Sequence, residues 1–160
     1  MRNGTEEMNS IKKNNSKKSK YIKYIPVILW TAFIFFNSLM PADESSHMSF
    51  GVMAVVQKLL QYIHITIEEE TLHFLVRKAA HFTEYAVLGF LTKNASENKY
   101  KILIAAGLII PVIDETIQYF VPGRAMAFRD MCIDAAGFFT GALLFHFIIQ
   151  KTSKRHTPGK

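Results

Sequence analysis

Apolar residues gather along the chain into four long runs that are separated by shorter polar segments. The first run carries no charged residue and reads YIPVILWTAFIFFNSLM. A helix needs about 20 mostly apolar residues to cross the hydrocarbon core of a bilayer, with a lower limit of about 17. The pattern therefore predicts four membrane-spanning helices, at Tyr24–Met40, about Phe74–Thr92, Ile102–Val121 and about Met131–Gln150.

A different pattern lies between the first and second runs. From Val52 to Ile63, apolar residues recur at i, i+3, i+4, i+7, i+8 and i+11, and polar residues fill the other face. This period is typical of an amphipathic helix, and the segment is too short and polar to span. We predict an all-α fold, an integral membrane bundle of four transmembrane helices with an outer amphipathic helix between the first and second spans.

Charge is distributed very unevenly between the segments that connect these runs. Segments 1–23, 93–101 and 151–160 hold 14 of the 19 Lys and Arg residues but only 3 of the 13 acids. Basic residues favour the cytoplasmic side, so both termini are predicted to be cytoplasmic and the first run an uncleaved anchor. The expected organisation is a disordered basic tail over 1–23, a membrane domain over 24–150 and a basic tail over 151–160.

The composition limits the kinds of site and partner that the chain can have. The single cysteine, Cys132, excludes an internal disulfide and a metal site built from several cysteines. A net charge of +6 is compatible with nucleic-acid binding. However, most basic residues flank the apolar runs instead of forming one face, so no nucleic-acid partner is predicted.

The stretch RKAAHFTEY interrupts the second apolar run with charge. On a helix its polar residues fall within an arc of roughly 120°. A charge at bilayer depth costs at least a few kcal/mol, so these groups need a partner, water or a ligand. The arc comprises Arg77, Lys78, His81, Glu84 and Tyr85.

A second polar set includes Asp114, which is predicted to lie about 10 Å below the outer surface, at the depth of Glu84. It follows in the third run, the next loop and the start of the fourth run, and comprises Asp114, Glu115, Gln118, Arg124, Arg129, Asp130 and Asp134. The two sets are predicted to line a polar pocket that opens to the cell exterior. The competing interpretation is that the charges only neutralise one another and hold the helices together.

Within this pocket, His81 and Glu84 are candidate catalytic residues as an acid/base pair, with Asp114 or Glu115 to orient them. The same four residues include possible metal ligands, but the positive charges of Arg77 and Lys78 disfavour a metal, and no metal or cofactor is predicted. A ligand is predicted to bind through ten residues: Lys78, His81, Glu84, Tyr85, Asp114, Glu115, Gln118, Arg124, Asp130 and Asp134.

Three segments together resemble the VanZ-like family of small bacterial membrane proteins: RKAAHFTEYAVLGFL, DETIQYFVPGR and RDMCIDAAGFFTG. The chain departs from the family pattern at Asp134, where Asn is usual, and at Ala127, where Ser is common. The resemblance covers roughly residues 24–150. It implies a location in the bacterial plasma membrane and protection against teicoplanin, a lipoglycopeptide antibiotic.

Three hypotheses for the pocket follow. The first is an envelope-protection protein that binds a membrane lipid or lipid-linked cell-wall precursor, whose phosphate or pyrophosphate contacts Arg77, Lys78 and Arg124. The second is an intramembrane enzyme that modifies a lipid headgroup or wall precursor. The third is a small transporter that uses its buried carboxylates as a proton relay. The sequence predicts no oligomeric state.

Overall fold

Five α-helices make up the computed structural model, which describes residues 21–96 and 99–155, with side chains for 21–41, 51–96 and 99–149. The described residues contain no strand, so the prediction of an all-α fold is confirmed. In chain order the helices are α1 (Ile25–Ser38), α2 (Ala42–Tyr62), α3 (Glu69–Ser96), α4 (Tyr100–Tyr119) and α5 (Phe128–Arg155).

Helix ends follow local sequence signals. A proline lies in the first turn of α1, where its missing N–H removes no helical hydrogen bond. Acidic residues Glu69 and Glu70 lie in the first turn of α3 and Lys93 in its last, each favourable to the helix dipole. After α4, Gly123 adopts a φ of 75°, and the Arg124 N–H donates to the Val121 carbonyl at 3.1 Å. Proline followed by a glycine with positive φ closes a tight turn here, which leads the chain back into α5.

The closest packing in the bundle joins α3 to α5 through glycines. A methyl group added at Gly89 would overlap the backbone of Phe138, and one added at Gly141 would overlap the Ala86 carbonyl. Gly137 meets the Phe82 backbone in the same way. The G-x-x-x-G spacing of the sequence is therefore used, because these small residues allow two helix backbones to touch.

Polarity in the bundle is reversed relative to a water-soluble protein. A small apolar core includes Tyr85, Leu88 and Phe138, all fully buried. Around it, large apolar side chains are exposed along α1, α4 and α5, for example Phe36 at 60% and Phe147 at 64%. By contrast, the buried polar residues are Ser38, Thr92, Lys93, Ser96, Asp114, Glu115, Gln118 and Asp134. An apolar exterior of this kind is stable in lipid rather than in water.

Among the described residues, two helices are long and apolar enough to cross a membrane: α4, and α5 as far as Ile149. Only 33% and 28% of their apolar windows are buried in the bundle. Helix α1 is apolar but has 14 residues, about 21 Å of helix, and α3 carries the charged stretch. Two of the four predicted spans thus have the length and hydropathy of a membrane helix.

Three further predictions concern the amphipathic segment and the two terminal tails. Helix α2 occupies the segment where the amphipathic helix was predicted. Helix α5 continues to Arg155, so its last turn lies inside the segment that was assigned to the basic tail. The predicted disorder of 1–23 falls mostly on residues outside the described part of the chain.

Candidate functional site

The charged residues that the sequence singled out converge at one end of the bundle, where α1 and α4 end and α5 begins. Helix α3 contributes residues 77–85, α4 its last two turns, and α5 its first two. The acids Asp114, Glu115 and Asp134 are each at most 1% exposed. The predicted convergence of the two polar sets on α3, α4 and α5 is therefore present in the structure.

Several members of this cluster are held by neighbours within the protein. Lys78 forms an ion pair with Asp130 across the α3–α5 seam. Gln118 donates its amide to Asp114 Oδ2 at 3.1 Å and lies 3.5 Å from the Ser38 hydroxyl. These contacts join α3 to α5 and α4 to α1 through polar groups.

Glu115 stabilises the loop between α4 and α5. Its Oε2 accepts a hydrogen bond from the backbone N–H of Ala127 at 2.9 Å. Because the donor is the backbone, the contact does not depend on whether residue 127 is Ala or Ser. The departure from the family pattern at this position leaves the loop anchored.

Next to the cluster lies a cavity of about 610 Å³ between α1, α2 and α3, with Arg124 of the α4–α5 loop in its wall. Its polar lining residues include Asn37, Arg77, His81, Glu84 and Arg124. The rest of the wall is mainly apolar and includes Trp30, Phe33, Met40, Val52, Val56, Val76 and Val87. The cavity wall is thus mainly hydrophobic but carries both positive and negative side chains.

Two arginines in the cavity have unused hydrogen-bond donors. Arg124 donates from Nη2 to the Asn37 carbonyl at 3.2 Å, but its buried Nε and Nη1 have no partner among the described residues. The buried Nε of Arg77 likewise has none. Burial, and next the neighbouring Arg77, lower the pKa of the Arg124 guanidinium, whereas Asp114, Glu115 and Glu84 act in the opposite direction.

Arg129, the other arginine of this region, is placed differently. Its side chain is 68% exposed and its guanidinium lies 4.8 Å from the centre of the Phe74 ring, outside the cavity. The two loop-proximal arginines therefore have separate environments, one inside the cavity and one on the surface.

The predicted site residues divide into two groups. His81, Glu84 and Arg124 line the cavity, whereas the other seven lie behind that wall in the polar cluster. Glu84 Oε1 accepts a hydrogen bond from the Asn37 side chain at 3.2 Å. His81 Nδ1 lies 3.8 Å from Asp134 Oδ1.

Sequence reasoning missed part of the cavity wall. Trp30 donates its indole N–H to the Glu84 carbonyl at 2.9 Å and lines the cavity, but it sits in a charge-free run that carries no local signal. Val52 and Val56 belong to the amphipathic stripe that was expected to lie on the membrane surface. The apolar pattern of this segment correctly indicated an apolar helix face, but it did not indicate that Val52 and Val56 line a cavity.

A helical bundle with an apolar exterior and a buried, charged site at one end is typical of an integral membrane protein. Residues 23–149 match the VanZ/LLP1 family, and the chain belongs to that family. Searches among curated proteins and among solved structures gave no match.

Proposed function

We propose that the chain protects the bacterial cell envelope against teicoplanin-like glycopeptides by binding an anionic lipid or lipid-linked wall precursor in this cavity. The observation that carries the proposal is the pair of arginines, Arg77 and Arg124, whose buried donors have no partner among the described residues. Leaving such donors unpaired is unfavourable, and phosphate oxygens accept from guanidinium groups in a two-pronged geometry.

The shape of the cavity supports an amphiphilic ligand. An anionic headgroup fits beside the arginines, and an acyl or prenyl chain fits along apolar residues such as Phe33, Val56 and Val87. A water-soluble ion would use only the polar lining residues. The volume of about 610 Å³ is in the range of small-ligand sites, so it accommodates a headgroup with part of its chain.

The proposal includes a location and an orientation. The chain would lie in the plasma membrane with four spans and both termini in the cytoplasm, as the excess of basic residues in segments 1–23, 93–101 and 151–160 favours. The α4–α5 loop and Arg124 would then lie on the outer side. That is the side on which lipid-linked wall precursors and glycopeptides meet.

The test uses Arg124→Lys, with Arg129→Lys as the matched control. Both changes keep the charge and remove the two-pronged guanidinium, but only Arg124 lines the cavity. Hydrogen bonds to charged groups contribute about 1.5–3 kcal/mol each, so we expect Arg124→Lys to weaken binding more than about tenfold. Binding of a short-chain prenyl pyrophosphate to the purified protein is followed by the fluorescence of Trp30, the single tryptophan.

In cells, the readout is teicoplanin susceptibility divided by the amount of protein in the membrane. Arg124→Lys should lose protection at normal abundance, and Arg129→Lys should keep it. Full protection and unchanged binding by Arg124→Lys would remove the basis of the proposal.

One observation favours an enzyme as the second candidate. His81 and Glu84 lie one helical turn apart and both line the cavity, within reach of a ligand there. An enzyme would change its ligand covalently. Mass spectrometry of membrane lipids and wall precursors, with and without the protein, should then show a new or missing species, whereas a binding protein leaves the spectra unchanged.

A further inference from the structure

We propose that His81, Asp114 and Asp134 form a binding site for one divalent transition-metal cation, of the Mn²⁺ or Zn²⁺ type. The three side chains come from three different helices, α3, α4 and α5. One ligand-capable atom from each lies within 4.8 Å of those of the other two. Such a cation would join the three helices at the centre of the polar cluster.

The distances require only a small contraction. Zn²⁺ binds His nitrogen and carboxylate oxygen at about 2.0–2.2 Å, which places tetrahedral ligand atoms about 3.4 Å apart. Ligand atoms up to 4.8 Å apart must therefore approach by about 1.4 Å at most, shared between two side chains. Rotation about the side-chain bonds supplies movements of this size without moving a helix.

Unpaired oxygens on the two aspartates point to a missing partner. Asp134 is 1% exposed, and its buried Oδ2 accepts no hydrogen bond from the described residues. Asp114 is fully buried; its Oδ2 accepts from Gln118, the Ser38 and Tyr85 hydroxyls lie near the carboxylate, and its Oδ1 has no hydrogen-bond partner among the described residues. The 3.8 Å between His81 Nδ1 and Asp134 Oδ1 is too long for a hydrogen bond. A buried carboxylate oxygen without a donor is unfavourable, and a cation between the three groups would satisfy it.

The surrounding charges leave room for a cation. The nearest amine, that of Lys78, is directed to Asp130. The remaining groups at this end of the bundle are four carboxylates and three guanidiniums, a formal charge of −1 that favours a cation. They are Glu84, Asp114, Glu115 and Asp134 against Arg77, Arg124 and Arg129. The positive charges that argued against a metal in the sequence are therefore either paired with an acid or outnumbered by the nearby carboxylates.

The donor set selects the class of cation. One imidazole nitrogen with two carboxylates suits Zn²⁺, Mn²⁺ or Fe²⁺, whereas Mg²⁺ and Ca²⁺ prefer oxygen ligands alone. Three protein ligands leave at least one coordination position open. Because His81 lines the cavity, that position would lie on the cavity side.

The experiment measures metal content of the tag-free, full-length protein in detergent, after equilibration with micromolar Mn²⁺ or Zn²⁺ and removal of free metal. We expect about one cation per chain in the wild type. Asp134→Asn should weaken binding at least tenfold. Glu115→Gln is the matched control, since it neutralises another buried acid of the cluster that lies outside the three-residue set, and it should retain the cation.

Two results would overturn the site. One is a wild-type protein that holds no stoichiometric cation of either kind. The other is an Asp134→Asn variant that retains as much as Glu115→Gln. If Asp134→Asn does not accumulate, the absorption spectrum of the Co²⁺-loaded wild type decides. Bands typical of nitrogen and oxygen ligands in a low-symmetry site support the proposal, and the spectrum of hydrated Co²⁺ refutes it.

Discussion

Gly89→Ala tests whether the seam between α3 and α5 stabilises the fold. The added methyl carbon would lie 2.6 Å from the Phe138 carbonyl carbon, whereas ordinary contact begins at 3.4 Å. The two helices must move apart by more than about 0.8 Å, the difference between these distances, because the Phe138 carbonyl oxygen lies closer still. Because the opposing atoms are backbone, no side chain can rotate away to relieve the contact.

The expected destabilisation follows from two opposing terms. Overpacking of a tightly packed contact costs about 1–3 kcal/mol, and the backbone collision here favours the upper end. Alanine regains about 1 kcal/mol over glycine in a helix. The net loss is about 2 kcal/mol, which corresponds to a melting temperature about 4–8 °C lower for a chain of this size.

Gly51→Ala is the matched control for this variant. Gly51 lies within α2, and a methyl group added there meets nothing within 4 Å. This variant should gain up to about 1 kcal/mol and melt about 2–4 °C higher. Thermal unfolding of both proteins in one detergent, followed by circular dichroism, gives the comparison. A Gly89→Ala protein as stable as the wild type would refute the reasoning, and equal losses in both variants would show that the seam is not the cause.

Two further predictions concern topology and the ion pair at the seam. Reporters fused after Lys99 or Lys160 should report the cytoplasm, and reporters after Glu70 or Gly123 the exterior; one inverted result would contradict the proposed orientation. Lys78→Met should lower the amount of folded protein, because losing one partner of a buried pair costs up to about 3–5 kcal/mol and Asp130 is only 18% exposed. A Lys78→Met/Asp130→Leu double variant should recover most of that loss, and a double variant no better than the single one would show that the pair contributes little.

The helices were largely predictable because apolar runs and their boundaries depend on local sequence. Two ends differed for local reasons. Helix α1 stops at Ser38, shortly before Pro41, whose ring disfavours a helical residue before it. Helix α5 runs on to Arg155 because nothing in its polar last turn breaks a helix. Hydropathy alone therefore placed the end of α5 too early in the chain, because its last turn is polar.

The sequence predicted that the charged residues converge in the bundle, but not which of them contact each other. Depth along each helix placed Asp114 beside the polar arc of α3. Which acid Lys78 meets depends on the rotation of each helix about its own axis, and a single-helix pattern does not determine that relation between two helices. For the same reason the grouping of His81 with Asp114 and Asp134, instead of Glu84 and Glu115, required the folded bundle.

The charged face of α3 has a consequence for how the protein is made. The partners of that face on α5 begin at Asp130, 34 residues after α3 ends at Ser96. At about 5–20 residues per second, synthesis of that stretch takes about 2–7 s. During this interval a lone α3, spanning as proposed, would hold Lys78 without Asp130 and His81 without Asp134. An unpaired charge inside the membrane costs up to about 2.5–3.5 kcal/mol. Helix α3 should therefore remain at the insertion machinery until α5 emerges, and a nascent chain that ends at Ser96 should fail to integrate and be degraded.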